Sequence, residues 1–451
     1  MGSEHYPLRQ SGIYHNLPQF DDSIKDLTAI VTGANGISGF HTCRALLESP
    51  QRWSKIYAMS RRPPPESMMA LLTPEQRSKI QHVASDFLKS PEELAQAMKK
   101  AGVERVDYVF FYSYLQPKPP PNSPPWSNAQ ELADVNSALL RNFLSSLPLL
   151  DLHPKRILLQ TGAKNYGVHL GRARVPSLES DPQPKHLEPN FYYPQEDLLF
   201  AYCAEHPETG WNVIMPAWII GATANAQMNA LHPFAVYAAV CAKRGQPLLF
   251  PGDWSGWQGY AFHSSARLTG YLSEWAVLEE KCRNQRFNSQ DTSPVTWDRW
   301  FERLVDWFGV EKGVGPPPDV LEQPVVIKGK AGKDTPMGYG PPTEVRLQFT
   351  LGKWAEDEEN HQAWKELMKE SDGKLTHDPF EDIEAHFTFG DGAIMGVGGC
   401  MNMNKARRLG WTGFVDTVES VFEMYWEMGG DGKAGIGMVP AMKVKEPQPL
   451  V

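Results

Sequence analysis

Three stretches of this 451-residue chain carry residue types that could do chemistry together. Near the start, Thr32-Gly33-Ala34-Asn35-Gly36-Ile37-Ser38-Gly39 is a glycine loop. In the middle, Gln160-Thr161-Gly162-Ala163-Lys164-Asn165-Tyr166 offers a lysine just after an apolar run. Asn190-Phe191-Tyr192-Tyr193-Pro194-Gln195-Glu196-Asp197 then sets two tyrosines at the start of a helical pattern. Together they suggest a nucleotide cofactor, an amine and a phenol in one pocket. A nicotinamide enzyme needs an acid, or an oxyanion stabiliser, at the substrate carbonyl. A phenol serves if a nearby cation lowers its pKa or strengthens its hydrogen bond.

The elements that must position these residues can be read in order. Leu27–Thr32 is a short buried strand that runs into the glycine loop and then into a helical pattern from Phe40 to Leu47. Strand, glycine loop and helix form the context a dinucleotide site requires. Gly33 permits the tight turn, Gly36 lets the backbone approach a pyrophosphate, and Gly39 lets helix and strand pack closely. Asn35 and Ile37 complete the loop, and the helix N-terminus faces the phosphates. The next strand ends at Ser60-Arg61-Arg62. An acidic residue there would favour the free 2'-hydroxyl of NAD, whereas arginine accommodates a 2'-phosphate, so the expected cofactor is NADPH/NADP+. Asp86 and Phe87, just after the strand at 80–84, are candidate adenine contacts. The aromatic strand 106–114 should border the cofactor at its C-terminal end, bringing in Tyr112. The strands at 156–161 and 211–215 add Thr161, Pro216 and Ile219 to the cofactor edge. Tyr114, Trp218 and Met228 are expected to line a hydrophobic substrate pocket.

Strands alternating with helices imply an α/β protein with a Rossmann-type doubly wound parallel sheet and a smaller, mostly helical C-terminal substrate lobe. The expected divisions are an arm at 1–25, a cofactor-binding core at 26–225, a substrate lobe at 226–430 interleaved with the core, and a loosely ordered tail at 431–451. Residues 325–375 read as an expanded loop and helix within the lobe.

Net charge is -9 and no long basic run occurs, which argues against nucleic acid as a partner. No stretch of about 18 apolar residues suggests a membrane span. The five cysteines, Cys43, Cys203, Cys241, Cys282 and Cys400, form no framework, which fits a reducing, cytoplasmic setting. The histidines are scattered without metal-ligand spacing, so no metal is expected. A hydrophobic small molecule is the expected partner, and a homodimer is compatible with the sequence.

Ordinary short-chain dehydrogenases carry their pair as Tyr-x-x-x-Lys on one helix face. The one formal match here is Tyr114-Leu115-Gln116-Pro117-Lys118. Its prolines rule out the helix that would align the two side chains. Either catalysis is absent, or the lysine comes from elsewhere. At this point a resemblance becomes informative. Thr161-Gly162-Ala163-Lys164-Asn165-Tyr166 resembles the T-G-x-K-H-Y stretch of the progesterone 5β-reductase/iridoid synthase (PRISE) family of atypical short-chain reductases. Asn190-Phe191-Tyr192-Tyr193 with Glu196-Asp197 matches that family's N-F-Y-Y-x-x-E-D signature. Ser60-Arg61-Arg62 and Met403-Asn404-Lys405 with Gly410-Trp411 are similar to further stretches of the same family. The resemblance implies a catalytic pair of Lys164 and Tyr192, NADPH, and 1,4-reduction of an enone; secondary metabolism is expected because the substrate-facing residues depart from the family. The sequence departs from the pattern at Asn165, where the family has His, at Tyr114, where plant members carry tryptophan, and at Met215, where arginine is frequent. Tyr193 and Tyr166 read as packing residues, and Glu196-Asp197 as charges favoured at a helix start. Two other readings are compatible: 1,2-reduction of a ketone by the same pair, and a non-catalytic NADPH-binding protein.

Overall fold

The computed structural model describes residues 7–117, 128–224, 229–394, 396, 399–430 and 435–446. Seven strands form one all-parallel sheet: β1 (Leu27–Thr32), β2 (Trp53–Ser60), β3 (Ile80–Ala84), β4 (Tyr108–Phe111), β5 (Arg156–Gln160), β6 (Gly210–Pro216) and β7 (Gln285–Ser289). In space they run β7-β6-β5-β4-β1-β2-β3. The order reverses direction between β1 and β4, so a crevice opens at the carboxyl ends of those two strands, where open α/β sheets take their ligands. β1 and β4 are mostly apolar and largely buried, as strands covered on both faces must be.

Helices cover the sheet on both sides. On one face lie α1 (Ile37–Leu47) and α6 (Ala266–Leu278). On the other lie α2 (Pro91–Lys100), α3 (Ala129–Ser146) and α4 (Tyr192–Glu205). α2 starts with a capping box, in which the Ser90 hydroxyl accepts from the Glu93 amide and the Glu93 carboxylate accepts from the Ser90 amide. α1 and α6 cross at Gly270, where an added Cβ would stand 3.0 Å from the Ala45 side chain and 3.1 Å from the His41 carbonyl oxygen.

The rest of the chain joins the core on the α1 face. α5 (His232–Arg244), α7 (Trp297–Phe308), α8 (Glu358–Glu370), α9 (Ile383–Ile394) and α10 (Thr417–Gly429) share one continuous apolar cluster with α1 and α6. The N-terminal arm is a hairpin, Leu8–Ser11 with Tyr14–Pro18, and Tyr14 and Leu17 are buried in that cluster. Residues 325–347 of the expected expansion form a second hairpin, Val325–Lys328 with Glu344–Leu347. The tail departs from expectation at its start: Ile436, Met438 and Val439 are buried, because their side chains complete the apolar cluster around α10. Met228 and Lys118 lie outside the described residues. No helix among the described residues is long and apolar enough to cross a membrane.

α10 is fastened to α1 by charge. Arg44 forms a two-pronged ion pair with Glu427, with Nη1–Oε2 2.8 Å and Nη2–Oε1 2.6 Å, and both residues are buried. Losing one partner leaves the other charge dry and unpaired. Arg44→Ala is therefore expected to lower unfolding free energy by about 3–5 kcal/mol, measured by urea denaturation.

Candidate active site

The glycine loop follows β1 directly. Gly33 has φ +60°, and an added Cβ would lie 2.8 Å from the Tyr112 carbonyl oxygen. At Gly39 an added Cβ would meet the Gly33 carbonyl at 2.3 Å, so α1 can start this close to the strand only without a side chain. Gly36 is the N-cap of α1, and no side chain caps the helix or brings acidic charge to its first turn. The amide groups of that turn are left to an anion. Two buried oxygens near the crevice, Asn35 Oδ1 and Thr161 Oγ1, have no hydrogen-bond partner among the described residues. These features fit a dinucleotide.

Several sequence-predicted residues support the crevice through the main chain. Asn35 donates to the carbonyls of Arg62 (2.8 Å) and Pro63 (3.3 Å), and the Ser60 hydroxyl donates to the Arg62 carbonyl (2.7 Å). They shape the turn that presents Arg61 and Arg62, both exposed. Tyr112 turns its phenol into the α1–α6 contact, accepting from Thr42 and donating to Ser273, while its amide is held by Thr32. Asp86 caps its own turn by accepting from the Leu88 amide. The ring of Phe87 packs with Phe111 and Phe143 in the core, so its side chain is not turned to the crevice as an adenine contact would require. Pro216 ends β6, and Ile219 pairs with Ser264 just beyond it.

β5 delivers the central residues. Gly162 is extended, and the chain then makes a single turn over Ala163–Tyr166 that ends at Gly167, φ +72°. A Cβ on Gly162 would sit 2.9 Å from the Tyr192 hydroxyl and 3.1 Å from the Pro216 carbonyl oxygen. The phenol of Tyr192, first residue of α4, thus rests on bare backbone at the carboxyl ends of β5 and β6. Burial pushes its pKa above the ordinary tyrosine value, with the neighbouring Tyr114 adding to the shift, so it is a protonated hydrogen-bond donor at neutral pH. Burial brings Lys164 down to about 8, partly opposed by the Glu188 carboxylate. Tyr114 packs on Phe191 (5.5 Å between ring centres), which packs on Tyr192 (4.4 Å). Trp218 sits at φ +45°, a costly conformation for a bulky residue, and packs on Phe389 of α9 (5.3 Å). Phe191 and Phe389 were not singled out by sequence reasoning, although Phe191 lies inside the tyrosine stretch itself.

Sequence reasoning also passed over Asn190 and read Glu196 differently. The Asn190 side chain donates to the Lys164 carbonyl (2.8 Å) and accepts from the Tyr192 amide (3.1 Å). One amide therefore ties the lysine turn to the tyrosine helix. Glu196 is not a helix-start charge but a fully buried carboxylate. It accepts from Asn165 (2.8 Å), Gln183 (3.0 Å) and Arg286 Nε (2.9 Å). Its position, one turn into α4, points it at the sheet. Asp197, the next residue, is exposed and pairs with Lys185. Tyr193 and Tyr166 are buried; their hydroxyls donate to the Asn165 carbonyl and to Asn288 Oδ1.

Residues 29–334 match the family described as the PRISE-like Rossmann-fold domain. The chain belongs to that family. Among curated relatives, this PRISE-like chain is 27% identical to the short chain dehydrogenase gsfE of Penicillium aethiopicum over 92% of this chain and 99% of the relative. It is 26% identical to a 3-oxo-Delta(4,5)-steroid 5-beta-reductase of Arabidopsis thaliana over 86% of this chain and 87% of the relative. It is 24% identical to an (S)-8-oxocitronellyl enol synthase of Catharanthus roseus over 87% and 88%. Family and fold make it a protein of the short-chain dehydrogenase/reductase type.

If Asn190 fixes the lysine turn against the tyrosine helix, Asn190→Ala frees both at once. Loss of two hydrogen bonds is expected to cost about 1–3 kcal/mol in chemical denaturation. It should lower kcat of the PRISE-like chain more than it raises KM for the cofactor, as steady-state kinetics with the two parameters separated would show.

Proposed function

We propose that this protein is an NADPH-dependent reductase of a hydrophobic enone, saturating the activated C=C by 1,4-addition, in secondary metabolism. The observation that carries the reading is the Tyr192 hydroxyl seated against Gly162 and the Pro216 carbonyl, with Lys164 two residues further along. When bound, the reduced nicotinamide supplies the hydride. The residues of the chain do the rest. Gly33, Gly36, Gly39 and the open first turn of α1 receive the pyrophosphate. Arg61 and Arg62 take the 2'-phosphate, which is the reason to prefer NADPH over NADH. Tyr192 donates a hydrogen bond to the substrate carbonyl oxygen as negative charge gathers there, and then its proton. Lys164 binds the cofactor ribose and, as the ammonium, biases the phenol toward proton donation. Tyr114, Phe191, Trp218 and Phe389 offer the apolar walls that an uncharged enone requires. Cofactor preference and substrate class rest on these residues and on the names of the relatives.

Tyr192→Phe is expected to lower kcat about 10²–10³-fold on a panel of cyclic and acyclic enones, with NADPH binding retained. Equal rates would remove Tyr192 from the chemistry. Product analysis by mass spectrometry should return the saturated carbonyl, and an allylic alcohol would instead indicate 1,2-reduction. The ammonium of Lys164 is present below its folded pKa of about 8 and lost above it. The rate should therefore fall as pH rises through about 8, and this limb should be missing from the residual activity of Lys164→Met.

A further inference from the structure

At the far end of α4, remote from Tyr192, two imidazoles and a carboxylate converge. His206 is the C-cap of the helix, and Glu208 lies in the turn that follows. His153 precedes β5 and meets them before the amino ends of the neighbouring strands β5 and β6. His153 Nδ1 is 3.2 Å from Glu208 Oε1, His206 Nδ1 is 3.7 Å from the same oxygen, and the three donor atoms all lie within 4.8 Å of one another. Donors bound 2.0–2.1 Å from a tetrahedral zinc-type ion stand roughly 3.4 Å apart, so two of the three edges are close to that geometry already.

The surroundings hold these groups in place. The second nitrogen of His153, Nε2, is 2.9 Å from Asp151 Oδ1, the carboxylate–histidine arrangement that orients a ligating imidazole and raises its basicity. The ring of His206 packs on Tyr202 (4.4 Å between centres). Arg283 grips the turn by donating to the carbonyls of Pro207 (3.0 Å) and Glu208 (3.1 Å), and the Thr209 amide closes it on the His206 carbonyl. All three ligating residues are at least partly exposed, so an ion can enter and keep water in the remaining position.

We propose that His153, His206 and Glu208 form a binding site for one divalent ion of the zinc class, with Asp151 as the supporting carboxylate. Two nitrogen donors and one carboxylate suit zinc and its borderline neighbours and not magnesium or calcium, which take oxygen ligands. The site ties the loop entering β5 to the turn entering β6, about 20 Å along α4 from the catalytic phenol. It does not rest on the proposed enone reduction.

The test is Zn²⁺ titration of the tag-free full chain by calorimetry, alongside thermal melts, with Mg²⁺ as the hard-cation control. Expected are one saturable equivalent, a rise in Tm with Zn²⁺, and no comparable response to Mg²⁺. His153→Ala and His206→Ala should each weaken binding at least about tenfold, and Asp151→Ala about 10–100-fold. Melts of the metal-free variants establish that they remain folded. Absence of saturable binding, or binding unchanged in the His153→Ala/His206→Ala double variant, overturns the proposal, and an equal response to Mg²⁺ overturns the choice of ion class.

Discussion

The geometry of the candidate site depends on one buried carboxylate. Glu196 lies out of contact with solvent, where its charge is costly, and burial pushes its pKa up. Arg286 from β7, Asn165 from the lysine turn and Gln183 from the long connection offset that cost. Four segments distant in sequence thus meet on one side chain. Tyr192 lies four residues earlier on the same helix, so it stands one turn above Glu196 on the same face. Holding Glu196 holds the phenol, and holding Asn165 holds the turn that carries Lys164. Asn190 closes the arrangement from above, bonding both the Lys164 carbonyl and the Tyr192 amide.

Tying the turn that carries a lysine to a tyrosine helix in this way differs from carrying both residues on one helix. On a helix, four-residue spacing fixes the pair through local backbone geometry. Here the two residues belong to separate elements joined by a long irregular connection, and tertiary hydrogen bonds tie those elements together. Close approach without side chains does the rest. Gly162 leaves the phenol room against the backbone, and Gly39 lets α1 begin beside β1. Each of these positions tolerates no added carbon without moving a neighbour's main chain or the phenol itself. Desolvation then sets the protonation states: the phenol is kept protonated, while the amine is brought to about 8.

The lobe beyond the sheet has no core of its own. The first hairpin, α1, α6, α10 and the segment containing Ile436 to Val439 share one apolar cluster, and the Arg44–Glu427 pair crosses it. The first hairpin and the Ile436–Val439 segment are therefore packed on the same face of the sheet. The contact of Trp218 with Phe389 joins the turn after β6 to α9 of this lobe.

Periodicity and punctuation in the sequence determined the alternation of strands and helices, the glycine loop at the end of the first strand, and the arginine pair after the second. These are local matters, in which a strand, a turn or a cap is decided by residues a few positions apart. The prolines around Lys118 likewise excluded a helical tyrosine–lysine pair, and the resemblance of two short stretches singled out Lys164 and Tyr192. What the tertiary structure decided was everything that depends on long separations. Glu196 reads as a helix-start charge until Arg286, 90 residues later, is seen beside it. Asn190 reads as a loop residue until the Lys164 carbonyl, 26 residues earlier, meets its amide. His153 and His206 show no ligand spacing, because the parallel strands β5 and β6 that bring them together are linked through the whole of α4. Hydrogen bonds and metal geometry act over about 2–4 Å in space whatever the distance along the chain, and no local pattern encodes them.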